Sequence, residues 1–317
     1  MTPAIEIHGL TKRFGAVTAL SGLDLTVPRG AIFGFLGPNG AGKTTTLRIM
    51  TGLAHATAGQ VVIEGITVGS RTRPPIGYLP DTPSFYGWMR AREFLRYIAD
   101  LHTLADPPID ATLDRVGLLD AANKRVGGFS RGMKQRLGLA QALLPNPSVL
   151  LLDEPVSALD PAGRKAILEI LSDLRGELTV FFSTHILNDA ERICDDVGII
   201  DRGRLVLQAP RDDLLTQFAR PIFEVDAVPD DIPRLTALAE RLRGLPWVDR
   251  VTQEGARLRV SVHDVNAARH DLLPMLVGLS VSRVELLGAT LEDVFLRLTN
   301  GDAAPGETTP VGQEAAS

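Results

Sequence analysis

Apolar residues recur along the first 210 positions in two different rhythms. Ala4–Leu10 (AIEIHGL) and Ala19–Val27 (ALSGLDLTV) alternate apolar and polar residues, which predicts antiparallel strands buried on one face. Ala31–Leu36 (AIFGFL), Ser148–Leu152 (SVLLL) and Leu178–Ser183 (LTVFFS) are unbroken apolar runs, as strands covered on both faces require. Helical patterns lie between and after them, at Arg131–Leu144 and Pro161–Arg175. Strands alternating with helices predict an α/β core with a mainly parallel sheet, preceded by an antiparallel β subdomain. The pattern breaks at Ala209–Pro221. A strand at Ile222–Val225 follows, then a helix at Ile232–Leu242 and strands at Val248–Gln253 and Ala256–His263 around a Glu254-Gly255 turn. A helix at Val265–Val277, a strand at Val281–Leu287 and a short helix at Leu291–Leu298 complete it. This β-α-β-β-α-β order predicts a small ferredoxin-like α+β domain. Pro274 fits its helix poorly, because it has no N–H to donate. From Asn300 the periodicity ceases, and residues 300–317 read as a disordered tail. The expected domains are 1–215 and 221–299, followed by that tail.

Composition narrows the class only a little. The 317 residues are 44% hydrophobic and 22% charged, as in ordinary globular chains. A net charge of −5 gives no general attraction to nucleic acid or anionic lipid, so no nucleic-acid partner is expected. The single cysteine, Cys194, excludes an intramolecular disulfide and reads as a buried, inert thiol in a reducing compartment. The N-terminus lacks the basic flank and apolar core of a signal peptide. No stretch approaches the ~20 apolar residues of a membrane span. If the chain serves a membrane process, another polypeptide supplies the membrane part.

The chemistry concentrates in two motifs. Gly37-Pro38-Asn39-Gly40-Ala41-Gly42-Lys43-Thr44 matches G-x-x-x-x-G-K-[ST] in full, after an apolar strand and before a helix at Thr45–Met50. Its glycines let backbone N–H groups turn toward phosphate oxygens, and the helix N-terminus, with Thr45, adds positive potential. Lys43 is suited to the β- and γ-phosphates and the Thr44 hydroxyl to Mg²⁺. Val149–Glu154 (VLLLDE) ends a buried strand in two carboxylates, at the place where parallel sheets bind ligands. Asp153 suits Mg²⁺, mostly through water, and Glu154 suits the polarisation of an attacking water. Together the two motifs predict a nucleoside triphosphatase.

Phe129–Arg136 (FSRGMKQR) says which kind. It resembles the signature sequence of ATP-binding cassette (ABC) proteins, usually LSGGQ followed by a basic helix. Ser157-Ala158-Leu159-Asp160 resembles that family's D-loop, and Ser183-Thr184-His185 its switch histidine. Phe14 stands where the family sets an aromatic ring against adenine. The resemblance covers roughly residues 4–210. It implies a P-loop ABC cassette with a helical subdomain near Leu79–Arg125, and ATP with Mg²⁺ as ligands. In the family, Ser130 and Gly132 of one copy close the γ-phosphate site of another, so one motif set implies a second copy or a paralogue. Arg131 and Met133 depart from the usual glycine and glutamine. Arg131 reads as a solvated or domain-facing charge rather than a phosphate contact. Asp81, in GYLPDTPSFYG, holds the family's usual glutamine position. Two readings stand: its carboxylate contacts the metal, or it merely stabilises the Pro80–Pro83 turn.

Gly288–Thr299 (GATLEDVFLRLT) and Tyr78-Leu79-Pro80 resemble ATPase subunits of ABC-2-type exporters, among them bacterial drug- and antibiotic-resistance exporters. This implies an ATP-hydrolysing exporter subunit, peripheral on the cytoplasmic face of the membrane and driving a separate transmembrane permease. An importer ATPase or a soluble non-transport ABC ATPase are the alternatives. Arg90–His102 is amphipathic through Phe94, Leu95, Ile98 and Leu101, and falls where the family's transporters receive a coupling helix. Phe85, Tyr86 and Trp88 read equally as docking surface or as core. The C-terminal domain reads equally as a sensing or dimer-locking module and as a passive appendage.

Overall fold

The computed structural model describes residues 2–157, 159–217, 221–288, 290–292 and 294–295. The predicted tail and Ala158 lie outside them. Of the predicted terminal helix, Leu291, Glu292, Val294 and Phe295 are helical and the rest lies outside. The chain divides into two compact units at Arg211/Asp212.

In the first unit, β1 (Ile5–Phe14) and β2 (Val17–Val27) form a hairpin. Along β2, Leu23, Leu25 and Val27 are buried while Asp24 and Thr26 are exposed, the period-two pattern of a one-sided sheet. β3 (Ile32–Leu36) leads into α1 (Lys43–Met50), and β4 (Ala58–Ile63) and β5 (Ile66–Thr67) return to the antiparallel sheet, ordered β2-β1-β4-β5. β6 (Ile76–Leu79) is followed by α2 (Ala91–Leu101), α3 (Ile109–Arg115) and α4 (Arg131–Leu143), which pack on one another as the helical subdomain. Phe94, Leu95 and Ile98 are the buried face of α2. Leu101 is its exposed last residue, contrary to the amphipathic reading, because the chain turns away through Thr103 at φ 56°.

β7 (Val149–Asp153), α5 (Pro161–Asp173), β8 (Thr179–Thr184), α6 (Leu187–Ile193), β9 (Asp196–Asp201) and β10 (Arg204–Pro210) complete the unit. The central sheet runs β10-β9-β3-β8-β7-β6, parallel from β9 to β6, with β10 antiparallel at the edge. Every residue of β3, β7 and β8 is buried, which explains their unbroken apolar runs. Phe33 stacks on Phe181 with centroids 5.4 Å apart, inside a core shared by the antiparallel sheet, α1 and the central sheet. Each such ring contributes about 1.5–3 kcal/mol by leaving water. Cys194 is buried, and that burial drives its thiol well above the ordinary range.

α7 (Arg211–Gln217) spans the division. The second unit follows as β11 (Ile222–Ala227), α8 (Ile232–Leu242), β12 (Val248–Glu254), β13 (Arg257–Val262), α9 (Val265–Met275) and β14 (Val281–Leu287). The antiparallel order β12-β13-β11-β14 is the ferredoxin-like arrangement. Glu254 pairs with Arg257, so the tight turn is Gly255-Ala256 rather than Glu254-Gly255. α9 is capped by Asp264, whose Oδ1 accepts from Asn266 and Ala267 N–H at 2.8 and 3.0 Å. It ends two residues earlier than expected, with Pro274 in its last turn. Leu235, Leu238, Leu242, Leu258, Val260 and Leu272 fill the unit's own core.

Candidate functional site

Four strand ends build the site. After β3 the chain turns through residues 37–42 into α1. Gly37 is held so close to β9 that a Cβ would lie 2.2 Å from the Ile200 carbonyl oxygen. Gly40 and Gly42 take φ of 82° and 112°, a region favouring glycine. A Cβ on Gly42 would also sit 2.7 Å from Leu20 Cδ2 and 2.9 Å from the Ala19 carbonyl. Packing as well as ligand approach therefore demands these glycines. α1 opens at Gly42 with no side chain capping its first N–H groups, which leaves donors and the positive helix end available to an anion.

Lys43 is buried, and its Nζ donates to the carbonyls of Gly37 at 2.7 Å and Pro38 at 3.2 Å. The same Nζ lies 3.3 Å from Glu154 Oε1. Thr44 Oγ1 donates to Asp153 Oδ1 at 3.1 Å, and Ser183 Oγ donates to that oxygen at 2.7 Å. Asp153 and Ser183 are register partners on β7 and β8, so the sheet itself sets this bond. Glu154 follows β7 with φ 48°, its N–H donating to the Ser183 hydroxyl at 3.0 Å. His185 Nδ1 lies 2.9 Å from Glu154 Oε2. An ionised carboxylate only accepts, so this bond requires the proton on Nδ1. Burial and the neighbouring Asp153 carboxylate push the Tyr78 hydroxyl up to about 12.

Asp81 is exposed on the loop after β6, and Ser157 Oγ lies 2.9 Å from its Oδ1. Ser157 Oγ is also 3.1 Å from the Glu154 carbonyl, so one hydroxyl proton serves two acceptors. Neither sequence reading of Asp81 anticipated this contact. A cleft of about 390 Å³ is lined by Asn39, Gly40, Gly42, Lys43, Thr44, Thr45, Asp81, Glu154 and His185, with Ala19 and Ser157. Gly37, Pro38 and Ala41 belong to the loop without lining the cleft, and Asp153 reaches it through Thr44. Phe14 does not line it. That ring is 55% exposed near the end of the β1–β2 hairpin, with Lys12 Nζ 4.8 Å from its centroid. Ser130 and Gly132 are also away from the cleft, where Ser130 Oγ caps α4 by accepting from Met133 N–H at 3.3 Å. Arg131 is exposed. Sequence reading missed the clamps made by Ser183 and Ser157, although both hydroxyls stood inside motifs it had singled out.

This donor set fits a nucleoside triphosphate: one buried ammonium, an uncapped helix start and glycines that leave the loop free of side chains. Among the described residues no cluster of three or more His, Cys, Asp or Glu could hold a metal. A hydroxyl beside one carboxylate fits a cation that keeps waters and takes phosphate oxygens, as Mg²⁺ does.

A family model described as ABC transporter matches residues 20–157. The bacitracin transport ATP-binding protein of Bacillus licheniformis is 36% identical over 308 residues, which cover 95% of this chain and 99% of that protein. The chain belongs to the ABC transporter ATP-binding family. It is similar over 94% of both lengths, at 35% identity, to the Nod factor export ATP-binding protein I of Ralstonia nicotianae. A solved dimeric ATP-binding cassette in a post-hydrolysis state with ADP and Pi superposes with a TM-score of 0.59 at 25% identity, covering 65% of this chain and 98% of that one. This ABC protein is therefore an ATP-binding, ATP-hydrolysing subunit of a transporter with a P-loop cassette and a small second domain. No helix among the described residues is long and apolar enough to cross a membrane.

Proposed function

We propose that this subunit powers export through a separate transmembrane permease, working on the cytoplasmic face of the membrane as a dimer closed around ATP and Mg²⁺. The export reading is supported by full-length similarity to proteins named for bacitracin transport and Nod factor export. The dimer reading is supported by likeness to a dimeric cassette. Ser130 and Gly132 would reach the γ-phosphate held by the partner copy, either a second copy of this chain or a paralogue.

The observation that carries the mechanism is Glu154, held between Lys43 at 3.3 Å and His185 at 2.9 Å in the cleft. Phosphate oxygens entering the loop replace Glu154 as the anionic partner of Lys43. The freed carboxylate then accepts a proton from the attacking water, and His185 holds it in orientation. Thr44 and Asp153 would hold Mg²⁺, with Asp81 as a further candidate oxygen. Bound Mg²⁺ neutralises phosphate charge and orients the phosphate oxygens. Phe14 would meet the adenine ring.

Glu154→Gln tests this. A general base contributes about 10²–10⁴-fold, so turnover should fall by at least ~100-fold. ATP affinity should hold or tighten, because the amide competes less for Lys43, and an ATP-dependent dimer should accumulate on size-exclusion chromatography. Hydrolysis near the wild-type rate would remove Glu154 from the role.

The permease-facing surface is drawn to the helical subdomain. Phe85 turns inward against Phe94 at 5.1 Å, whereas Tyr86 and Trp88 are 50% and 69% exposed and lie 6.1 Å apart, with Tyr97 at 5.8 Å from Tyr86. Trp88→Ala should keep the basal ATPase rate and lose copurification with the permease.

A further inference from the structure

We propose that β14 is the seam of a two-fold contact between two copies of this chain, made within the second unit and independent of the nucleotide site. β14 is the end strand of its sheet: one edge pairs with β11, and no described strand pairs with the other. Val284 and Leu286 on it are 40% and 38% exposed, and Ser282 and Arg283 are exposed as well. An open strand edge with apolar side chains is a template for another strand. β12, at the opposite end, carries no exposed large apolar residue.

The charges of β14 select the occupant. A two-fold axis that keeps the helices of both copies on one side of the joined sheet requires facing residue numbers to sum to an even value. Centring the axis on Arg283 sets arginine against arginine, and centring it on Glu285 sets glutamate against glutamate. Centring it on Val284 sets Arg283 opposite Glu285 on both sides of the axis and Val284 opposite its own copy. Opposite charges facing across strands stabilise the pair, and like charges oppose it. The register irregularity of β14 falls at Ser282, outside this segment. Arg283 and Glu285 are ion-paired along their own strand and their side chains are about half exposed, at 51% and 44%, so both can turn to a partner. The strand is complementary to itself in one register.

One strand pair buries far less than the ~1,200–2,000 Å² of a standard interface, so the contact alone is weak.

The test uses the full-length chain without nucleotide and with EDTA, which separates this contact from the ATP-closed dimer. Facing residues in antiparallel strands have Cα atoms about 4.5–5.5 Å apart, within disulfide range. Val284→Cys should therefore oxidise to a covalent dimer at least ~10-fold faster than Arg283→Cys, whose facing residue is position 285. Wild type, with its thiol buried, should stay uncrosslinked. In the Val284→Cys background, Arg283→Glu alone and Glu285→Arg alone should each slow crosslinking several-fold. Mixing those two variants should restore it as a heterodimer, although the pair along each strand stays broken in both. The proposal fails if Val284→Cys is no faster than Arg283→Cys, if the mixture stays slow, or if Thr252→Cys on β12 crosslinks instead.

Discussion

Asp81 and Glu154 answer to the same hydroxyl proton, since Ser157 Oγ lies within reach of the Asp81 carboxylate and the Glu154 carbonyl. If Asp81 acts by holding Ser157, then Asp81→Ala and Ser157→Ala should each lower kcat by about 10- to 100-fold, the worth of a hydrogen bond to a charged group. Their double variant should cost no more than either single one, and the Mg²⁺ concentration for half-maximal rate should not move. A raised Mg²⁺ requirement in Asp81→Ala alone would assign the carboxylate to the metal instead. Tyr78 gives a second residue-scale prediction. Its folded pKa of about 12 lies above the ordinary value of 10, so the folded state keeps a proton that the unfolded state loses. The stabilisation is fully present below pH 10 and is lost as pH rises toward 12. Tyr78→Phe should lessen the alkaline loss of stability in urea melts, and should delete the tyrosinate step near pH 12 in an absorbance titration.

At the scale of elements, β6 and α4 meet through glycine. A Cβ on Gly77 would lie 2.2 Å from the Ala142 carbonyl oxygen, and one on Gly138 would lie 2.6 Å from Leu79 Cδ1. Overpacking costs about 1–3 kcal/mol where side chains give way, and a backbone carbonyl gives way least. Gly77→Ala should therefore lower the urea midpoint markedly, while Gly128→Ala, with open space at its Cβ, should leave it near wild type. Elements of this kind were legible in the sequence wherever burial leaves a period. β3, β7 and β8 read as unbroken apolar runs because both of their faces are covered. The phosphate loop and the two carboxylates were legible because adjacent residues make them. The clamp of Ser183 on Asp153 was not, because it exists only once β8 lies beside β7 in register. Nor could Phe85 be told from Tyr86 and Trp88: neighbouring aromatics in a loop carry no period, and only the packing of Phe85 on Phe94 separates them.

Across the whole molecule, one apolar cluster joins residues of the antiparallel sheet, α1 and the central sheet, and another closes around β11, α8, β12, β13 and α9. They have no residue in common, and the chain divides between them at Arg211/Asp212. A chain of residues 1–220 keeps every described residue of the cleft and the whole of β10, the edge strand that closes the central sheet. It should fold with a single thermal transition and bind ATP with the affinity of the full chain; insoluble product would mean that the units share a core. Dimerisation should respond differently. In the Glu154→Gln background, both lengths should form an ATP-dependent dimer, because that contact belongs to the cassette. If the β14 contact engages in the same assembly as the ATP-closed one, the full chain should dimerise at lower protein concentration than 1–220. Equal midpoints for the two lengths in sedimentation would leave the ATP-closed interface as the sole source of dimer affinity.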